Sequence, residues 1–297
     1  MKSELRKDYL EDRYAIIAPK RAKRFHDDDK CPFCPENAVK RQVVVPFSIT
    51  NTVAVYKNLY PAFSPVNPKA YGRQEIIVDT PDHDKHFHEL SVVQIAEVLK
   101  VYGVRVAVIK EDKKIAYVEV LKNSGAAAGA SQKHEHSQIL GLGFVPVHLE
   151  EKTAREHEYQ AKTGHCPYCD IVKKEAKTGR KIFFDKNILV FAPYASQYAY
   201  EARIFTRRHI DNVSLLNEAE RLSIARALKC LTGSLNAIDV SYNYYMHERV
   251  NDTDQHFYIK LTPRGAHWAG VELGTGLIIN SVAPEAAATF YRANFKH

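Results

Sequence analysis

Cys31-Pro-Phe-Cys34 recurs almost unchanged as Cys166-Pro-Tyr-Cys169, nearly half of the 297-residue chain further on. An apolar, strand-like run ends at His83 after the first pair, and a similar run ends at His209 after the second. A single match of this kind would mean little. Several matches in the same order indicate an internal duplication, so the chain is interpreted as two copies of one unit.

Each of these histidines is followed, at the same spacing, by a helix-start signature. Ser91 with Gln94 forms one capping box, Asn217 with Glu220 forms the other, and apolar residues at helical period follow both. Each half therefore reads as strands, one long helix, then strands. This pattern predicts an α+β fold of two tandem halves, each a mostly antiparallel sheet with a long helix.

The boundary between the halves is placed where a polar stretch begins at Leu149 and is interpreted as a linking helix. We expect an N-terminal half over residues 1–148, which carries the active site, and a C-terminal half over residues 149–297.

Two sets of metal-ligating residue types follow from the repeat. Zinc prefers four tetrahedral thiolate and imidazole ligands, and a CxxC turn supplies two of them. The first predicted set is Cys31, Cys34, His83 and His134, and the second is Cys166, Cys169, His209 and His256. Because both sets are closed Cys₂His₂, they indicate structural metal, with occupancy of the second site left open. Free buried thiols are the alternative for either pair.

Composition excludes several classes of protein. Apolar residues make up 45% and charged residues 26%, as in globular proteins with a real core. No apolar run has membrane-spanning length, and the N-terminus carries mixed charge, so we expect a cytoplasmic protein without membrane contact. The net charge of +7 fits anionic small molecules as well as nucleic acid.

The stretch from Asn123 to Gln138 carries the most chemistry. Gly129 and the small residues around it permit a tight loop whose N–H groups can surround an anion. His134, His136 and Gln138 alternate along an extended segment and would share one face. A neutral imidazole can attack phosphorus without a separate base, so His136 is a candidate nucleophile. The alternative is that both histidines bind metal and no catalysis occurs.

These motifs resemble those of the galactose-1-phosphate uridylyltransferase family, part of the histidine-triad superfamily, and are also similar to ADP-glucose phosphorylase. The resemblance spans most of the chain. Its parts are an arginine motif (Pro19-Lys-Arg21-Ala-Lys-Arg24), the first CxxC pair, Pro81-Asp-His83, His134-Glu-His136-Ser-Gln138 and the segment Ala269–Asn280.

The resemblance implies a role for each matching residue. His136 would take the nucleoside monophosphate, with Gln138 and Ser131 stabilising the transferred phosphoryl group as catalytic residues. The implied substrate-binding residues are Arg21, Arg24, Asn58, Asn123 and Gly129. The implied cofactor is zinc, and the implied partners are a nucleotide sugar and a sugar phosphate or phosphate. A homodimer is compatible with these features, and nucleic acid is not an expected partner.

Three features depart from the family pattern. The segment Lys57-Asn-Leu-Tyr-Pro-Ala62 resembles the phosphorylase-like branch more than the classical uridylyltransferases, which leaves uracil and adenine both open as the base. Glu135 stands where proline is common between the motif histidines, and strand alternation predicts that it faces away from the site. Tyr258 stands at the position equivalent to His136 in the second half. We therefore expect one active site per chain, in the first half.

The function predicted from these residues is nucleotidyl transfer, with UMP moving between a nucleotide sugar and a hexose-1-phosphate through a nucleotidyl-histidine. Phosphorolysis of ADP-glucose or of a dinucleoside polyphosphate is the alternative within the same chemistry. A zinc-dependent nucleic-acid-binding protein is the alternative from another class, although basic residues are scattered among acidic ones.

Overall fold

The computed structural model describes residues 3–9, 13–23, 31–37, 43–46, 50, 52–252 and 254–295. Its strands are short and alternate with turns. The strands are β1 (Glu4–Lys7), β2 (Tyr14–Ile17), β3 (Val43–Val45), β4 (Ala54–Lys57), β5 (Gly72–Val78), β6 (Tyr117–Ser124), β7 (His136–Leu142), β8 (Lys181–Phe184), β9 (Ile188–Phe191), β10 (Ala202–Thr206), β11 (Tyr242–Arg249) and β12 (Tyr258–Pro263).

Six α-helices lie in the described part of the chain. They are α1 (Val92–Lys110), α2 (Val147–Thr163), α3 (Pro167–Glu175), α4 (Glu218–Asn236), α5 (Gly270–Thr275) and α6 (Pro284–Asn294). None of the described helices is long and apolar enough to cross a bilayer.

The long helices α1 and α4 begin where the sequence predicts. Ser91 caps α1 and Asn217 caps α4, each accepting a hydrogen bond from the backbone N–H three residues on. In turn, the side chains of Gln94 and Glu220 each accept a hydrogen bond from the backbone N–H of the cap residue. Both helices thus start with a complete capping box, which satisfies otherwise orphaned N–H groups.

Ten strands form one antiparallel sheet in the order β3-β4-β5-β7-β6-β11-β12-β10-β9-β8, while β1 and β2 form a separate hairpin. The two halves of the sheet have the same strand order from edge to centre. It is β3-β4-β5-β7-β6 in the first half and β8-β9-β10-β12-β11 in the second. The central pair β6–β11, from Tyr117 opposite Arg249 to Ser124 opposite Tyr242, joins the two halves. The predicted α+β class with two antiparallel halves is confirmed.

The main core lies between one face of this sheet and helices α1 and α4. Inward residues of both halves, such as Ile77, Val120, Ile204 and Leu261, pack there with the apolar faces of the helices. Outward residues of the same strands, among them His136 and Gln138 on β7 and Asn123 on β6, alternate with these and project from the opposite face, which leaves that face for a site.

Candidate functional site

The first predicted ligand set is brought together in space. One ligand atom from each of Cys31, Cys34, His83 and His134 lies within 4.8 Å of all the others. The Nδ1 atom of His83 is 3.4 Å from Cys34 Sγ, and that of His134 is 3.6 Å from Cys31 Sγ. Zn–S bonds of about 2.3 Å and Zn–N bonds of about 2.0 Å at tetrahedral angles give sulfur–nitrogen edges of about 3.5 Å. The donor set and its spacing fit a tetrahedral cation.

Two further observations support this fit. The Nε2–H of His134 donates to the carbonyl oxygen of Thr80 at 2.8 Å, which leaves Nδ1 as the lone-pair nitrogen facing the thiols. Burial and the neighbouring Cys31 raise the pKa of the Cys34 thiol to about 12. A cation is therefore what would turn this buried pair into thiolates.

The second ligand set repeats this geometry. Cys166, Cys169, His209 and His256 also form one group. Cys169 Sγ is 3.4 Å from Nδ1 of His209 and 3.5 Å from Nδ1 of His256. His256 Nε2–H donates to the carbonyl oxygen of Thr206 at 2.8 Å, as its counterpart His134 does. The structure thus assembles both ligand sets as predicted, and either could bind a metal ion.

His136 is the first residue of β7 and is buried beside the first Cys₂His₂ set. Its Nδ1–H donates to the carbonyl oxygen of His134 at 2.9 Å, which makes Nε2 the nitrogen with the lone pair. Burial lowers the pKa of His136 to about 4. The ring is therefore neutral around pH 7, as a nucleophile requires. Its edge lies against Phe33, with ring centroids 4.9 Å apart.

Gln138 lies two residues further along β7, on the same face as His136. A chain of hydrogen bonds fixes its amide: the Ala62 N–H donates to Gln74 Oε1 at 2.9 Å, and Gln74 Nε2 donates to Gln138 Oε1 at 3.2 Å. Because a backbone N–H can only donate, both amides are oriented, and the NH₂ group of Gln138 is turned away from Gln74. Gln74 was not found by sequence reasoning, since a polar residue in a strand carries no signal of its own.

A glycine loop between β6 and β7 forms the rim of the site. Gly125 and Gly129 flank the short 3₁₀ turn Ala126–Ala128 with φ angles of +85° and +80°. A Cβ on Gly125 would lie 2.2 Å from Ser241 Oγ, so only glycine fits there. The loop is therefore held tightly against the second half of the chain.

A cavity of about 590 Å³ opens beside this loop. Asn123, Ser131 and His136 line it from the first half, and Asn236 and Tyr242 line it from the second. The predicted residues Asn123, Ser131 and His136 thus share one cavity.

Two more of the predicted binding residues, Arg21 and Asn58, contact Tyr60 in the loop after β4. Arg21 donates to the carbonyl oxygen of Tyr60 at 3.3 Å, and Asn58 Oδ1 accepts from the Tyr60 N–H at 2.8 Å. These bonds bring Arg21 to the segment that carries Asn58. Arg24 lies outside the described residues.

A buried ion-pair cluster behind His136 was not predicted. Lys122 is fully buried on β6, and its Nζ donates to Asp79 Oδ2 at 2.7 Å and to the His136 carbonyl oxygen at 3.2 Å. Glu135 pairs with the same amine. Burial raises the pKa of Glu135, but its ion pair with Lys122 outweighs this and lowers the pKa to about 2. A lysine at an inward strand position was the available signal.

In the second half, the position of His136 belongs to Tyr258. Its hydroxyl accepts from Lys152 Nζ of α2 at 2.9 Å, and its ring stacks on Phe205 with centroids 4.8 Å apart. Lys260 stands where the first half has Gln138. This counterpart site has a phenol and two amines in place of an imidazole and an amide.

Comparisons with known proteins agree with this geometry. The family described as "Galactose-1-phosphate uridyl transferase, N-terminal domain" matches residues 66–146. ADP-glucose phosphorylase of Arabidopsis thaliana is 29% identical, over 97% of this chain and 92% of the relative. Galactose-1-phosphate uridylyltransferase of Thermotoga maritima is 26% identical, over 96% of each chain.

A solved structure extends the comparison to three dimensions. The crystal structure of the Arabidopsis thaliana ADP-glucose phosphorylase with bound ADP-glucose has a TM-score of 0.81 to this chain, covers 98% of this chain and 99% of its own, and shares 28% identity. The resemblance predicted from the motifs is confirmed: this chain is similar, over nearly its whole length, to the galactose-1-phosphate uridylyltransferase family in the sense that includes ADP-glucose phosphorylase.

Proposed function

We propose that this protein is a nucleotidyltransferase that works by double displacement through a nucleotidyl-His136 intermediate. The observation that carries the proposal is the state of His136. Its Nδ1–H is committed to the His134 carbonyl, and burial lowers its pKa to about 4, so Nε2 presents a lone pair at neutral pH.

In the first step, the Nε2 lone pair attacks the α-phosphorus of the nucleotide sugar. The N–P bond forms and the P–O bond to the bridging oxygen breaks, so the hexose-1-phosphate leaves with that electron pair. In the second step, an oxygen of the acceptor attacks the same phosphorus, and the N–P electron pair returns to Nε2. The Nδ1 proton stays on His136 throughout.

The other predicted residues support this chemistry. The oriented NH₂ group of Gln138 would donate to a phosphoryl oxygen where charge develops, and Ser131 would do so from the cavity wall. Arg21, Arg24, Asn58, Asn123 and Gly129 would bind the phosphates and the nucleotide. Guanidinium groups suit phosphate because they donate in a fork.

We assign zinc to both Cys₂His₂ sets. A zinc ion held by Cys31, Cys34, His83 and His134 would supply rigidity, since it would tie His134 and the strand that follows to the CxxC turn. We further assign one half to residues 1–148 and the other to residues 149–297, and a cytoplasmic location to the protein.

The first choice of reaction is UMP transfer between a UDP-hexose and a hexose-1-phosphate. ADP-glucose phosphorolysis is the second candidate, since the similarity to an ADP-glucose phosphorylase is of the same order as that to uridylyltransferases.

We also propose a homodimer. The segment around α5 exposes four aliphatic side chains, Val271, Leu273, Leu277 and Ile279, each at least half exposed. Exposed apolar side chains grouped in one segment are typical of an interface. Sedimentation velocity should give a dimer, and the variant Leu273→Glu with Leu277→Glu should sediment as a monomer. A monomeric wild-type protein would contradict this assignment.

The test of function is a panel of UDP-glucose and ADP-glucose, each with galactose-1-phosphate or inorganic phosphate, read by the masses of the products. We expect the turnover rate of one donor–acceptor pair to exceed that of every other pair at least tenfold. Absence of turnover for every pair by zinc-loaded protein would contradict the proposal.

A further inference from the structure

Asn243 of the second half reaches into the site of the first half. It lies on β11 directly opposite Asn123 on β6, across the central strand pair. Its Nδ2 donates to Asn123 Oδ1 at 2.8 Å and to the carbonyl oxygen of Ala128 at 2.8 Å. One amide group thus holds both the strand end and the turn of the glycine loop.

The chemistry of these partners settles the orientation of both amides. A carbonyl oxygen can only accept, so the group of Asn243 that faces Ala128 is its NH₂. Since the same NH₂ group also reaches Asn123, the atom that Asn123 presents to it is its oxygen. The NH₂ group of Asn123 is therefore turned away from Asn243.

The register of the sheet places Asn123 beside the candidate nucleophile. Lys122 pairs with Ser137 across β6 and β7, so the next residues, Asn123 and His136, lie opposite each other. Both residues also line the cavity. On the other side of His136, the Gln74 side chain orients the amide of Gln138 in the same way.

We propose that Asn243 is a positioning residue for the reaction: it aims the Asn123 NH₂ group at the phosphoryl group that His136 attacks, and it fixes the glycine loop above it. The second half, although it has Tyr258 in place of a nucleophile, thereby completes the site of the first half. This inference rests on the proposed function.

The test is a double-mutant cycle on the zinc-loaded protein with the best substrate pair. Asn243→Asp keeps the side-chain shape and removes both donors. We expect it to lower kcat/KM by roughly 10- to 100-fold, the worth of a hydrogen bond to a charged group. Asn123→Ala should cost a similar factor. In the Asn123→Ala background, Asn243→Asp should lower kcat/KM by a factor at least about threefold smaller than in the wild type, because only its bond to the Ala128 carbonyl remains to be lost.

Thr262→Val is the matched control. Thr262 is buried next to Asn243 and donates to its backbone carbonyl at 3.3 Å, without touching Asn123. It should retain kcat/KM within about twofold. The dissociation constants of UMP and AMP, measured by calorimetry for the same variants, give a readout that does not depend on turnover, and Asn243→Asp should weaken the tighter ligand at least tenfold.

The outcomes separate the two proposals. An active wild type whose kcat/KM and nucleotide affinity are unchanged by Asn243→Asp would overturn the positioning role and leave the proposed function standing. Multiplication of the two mutational losses in the double variant would also overturn it. A wild type that neither turns over a nucleotide sugar nor binds either nucleotide would overturn both.

Discussion

The two halves have the same Cys₂His₂ geometry but differ in what lies behind the strand that follows the last histidine of each set. In the first half, Lys122 is buried between Asp79 and Glu135. The strand pairing identifies the equivalent positions in the second half. Gln138 pairs with Leu121 in the first half, and Lys260 pairs with Tyr245 in the second, so these two pairs correspond. Met246 takes the position of Lys122, Thr206 that of Asp79 and Phe257 that of Glu135. All three are buried.

This difference shows that the fold does not need the buried charges. Replacing a buried ion pair by uncharged residues that pack well is often neutral or stabilising, and the second half has an uncharged arrangement of this kind. The first half retains three charges, and one of them, Lys122 Nζ, donates to the carbonyl oxygen of His136. The charges therefore accompany His136 rather than the scaffold.

The greatest loss of kcat is expected on substitution of His136, whereas substitution of its counterpart Tyr258 should have little effect. His136→Asn removes the attacking nitrogen and should lower kcat on the best substrate pair on the order of 10³-fold or more. Tyr258→Phe removes only a hydroxyl that accepts from Lys152 and should keep kcat within about twofold. Steady-state kinetics of both variants measures this. Comparable losses in the two variants would mean that the halves share the chemistry.

The next effect concerns the buried charges. Lys122→Met alone leaves Asp79 and Glu135 without their cation and should lower the free energy of unfolding by about 3–5 kcal/mol. The triple variant Asp79→Thr, Lys122→Met, Glu135→Phe copies the second half and should recover most of that loss in urea unfolding. It should nonetheless remain at least about tenfold slower than wild type. Full activity in the stable triple variant would show that the charges do not serve His136.

Metal removal should distinguish the two clusters. Cys31→Ser and Cys166→Ser should each lose about one equivalent of zinc per chain, measured by elemental analysis. Only Cys31→Ser should also lower kcat/KM, by roughly 10- to 100-fold, because the first cluster adjoins His136. If Cys166→Ser impaired turnover equally at a temperature where it stays folded, the second metal would be part of the active unit.

The smallest effect is a pH dependence of stability from Glu248 on β11. Burial, reinforced by the nearby Asp211, raises the pKa of Glu248 to about 7, even though Lys110 beside it acts in the opposite direction. The folded chain then holds a proton that the unfolded chain releases near its ordinary value of 4.5. This protonation therefore contributes to the free energy of unfolding in full below about pH 4.5. The contribution, up to about 3 kcal/mol, is lost as the pH rises to about 7.

Glu248→Gln should flatten this slope in urea unfolding between pH 5 and pH 8. A slope equal to that of wild type would assign the pH dependence to other groups.

The sequence predicts the parts of this molecule that repeat or that stand in local patterns. Both capping boxes, both ligand sets and the order strands–helix–strands were recognised because each is visible twice within a short window. The shared strand of His136 and Gln138 followed from alternation alone.

The rest depends on contacts between distant segments. Asn243 acts through Asn123, and Gln74 acts through Gln138; each pair is joined only by the pairing of strands that lie far apart in the chain. Lys122 stands at an inward position of β6, which is a sequence signal for burial, but its partners Asp79 and Glu135 come from other segments and are known only from the fold.

A covalent nucleotidyl-His136 intermediate is detected most directly by intact-protein mass spectrometry after the enzyme is mixed with UDP-glucose or ADP-glucose without acceptor and quenched in alkali. The wild type and Tyr258→Phe should each gain one nucleoside monophosphate, located on the peptide that contains His136, and adding acceptor should remove it. His136→Asn should gain none. No adduct on the active wild type, or the same adduct on His136→Asn, would contradict the account.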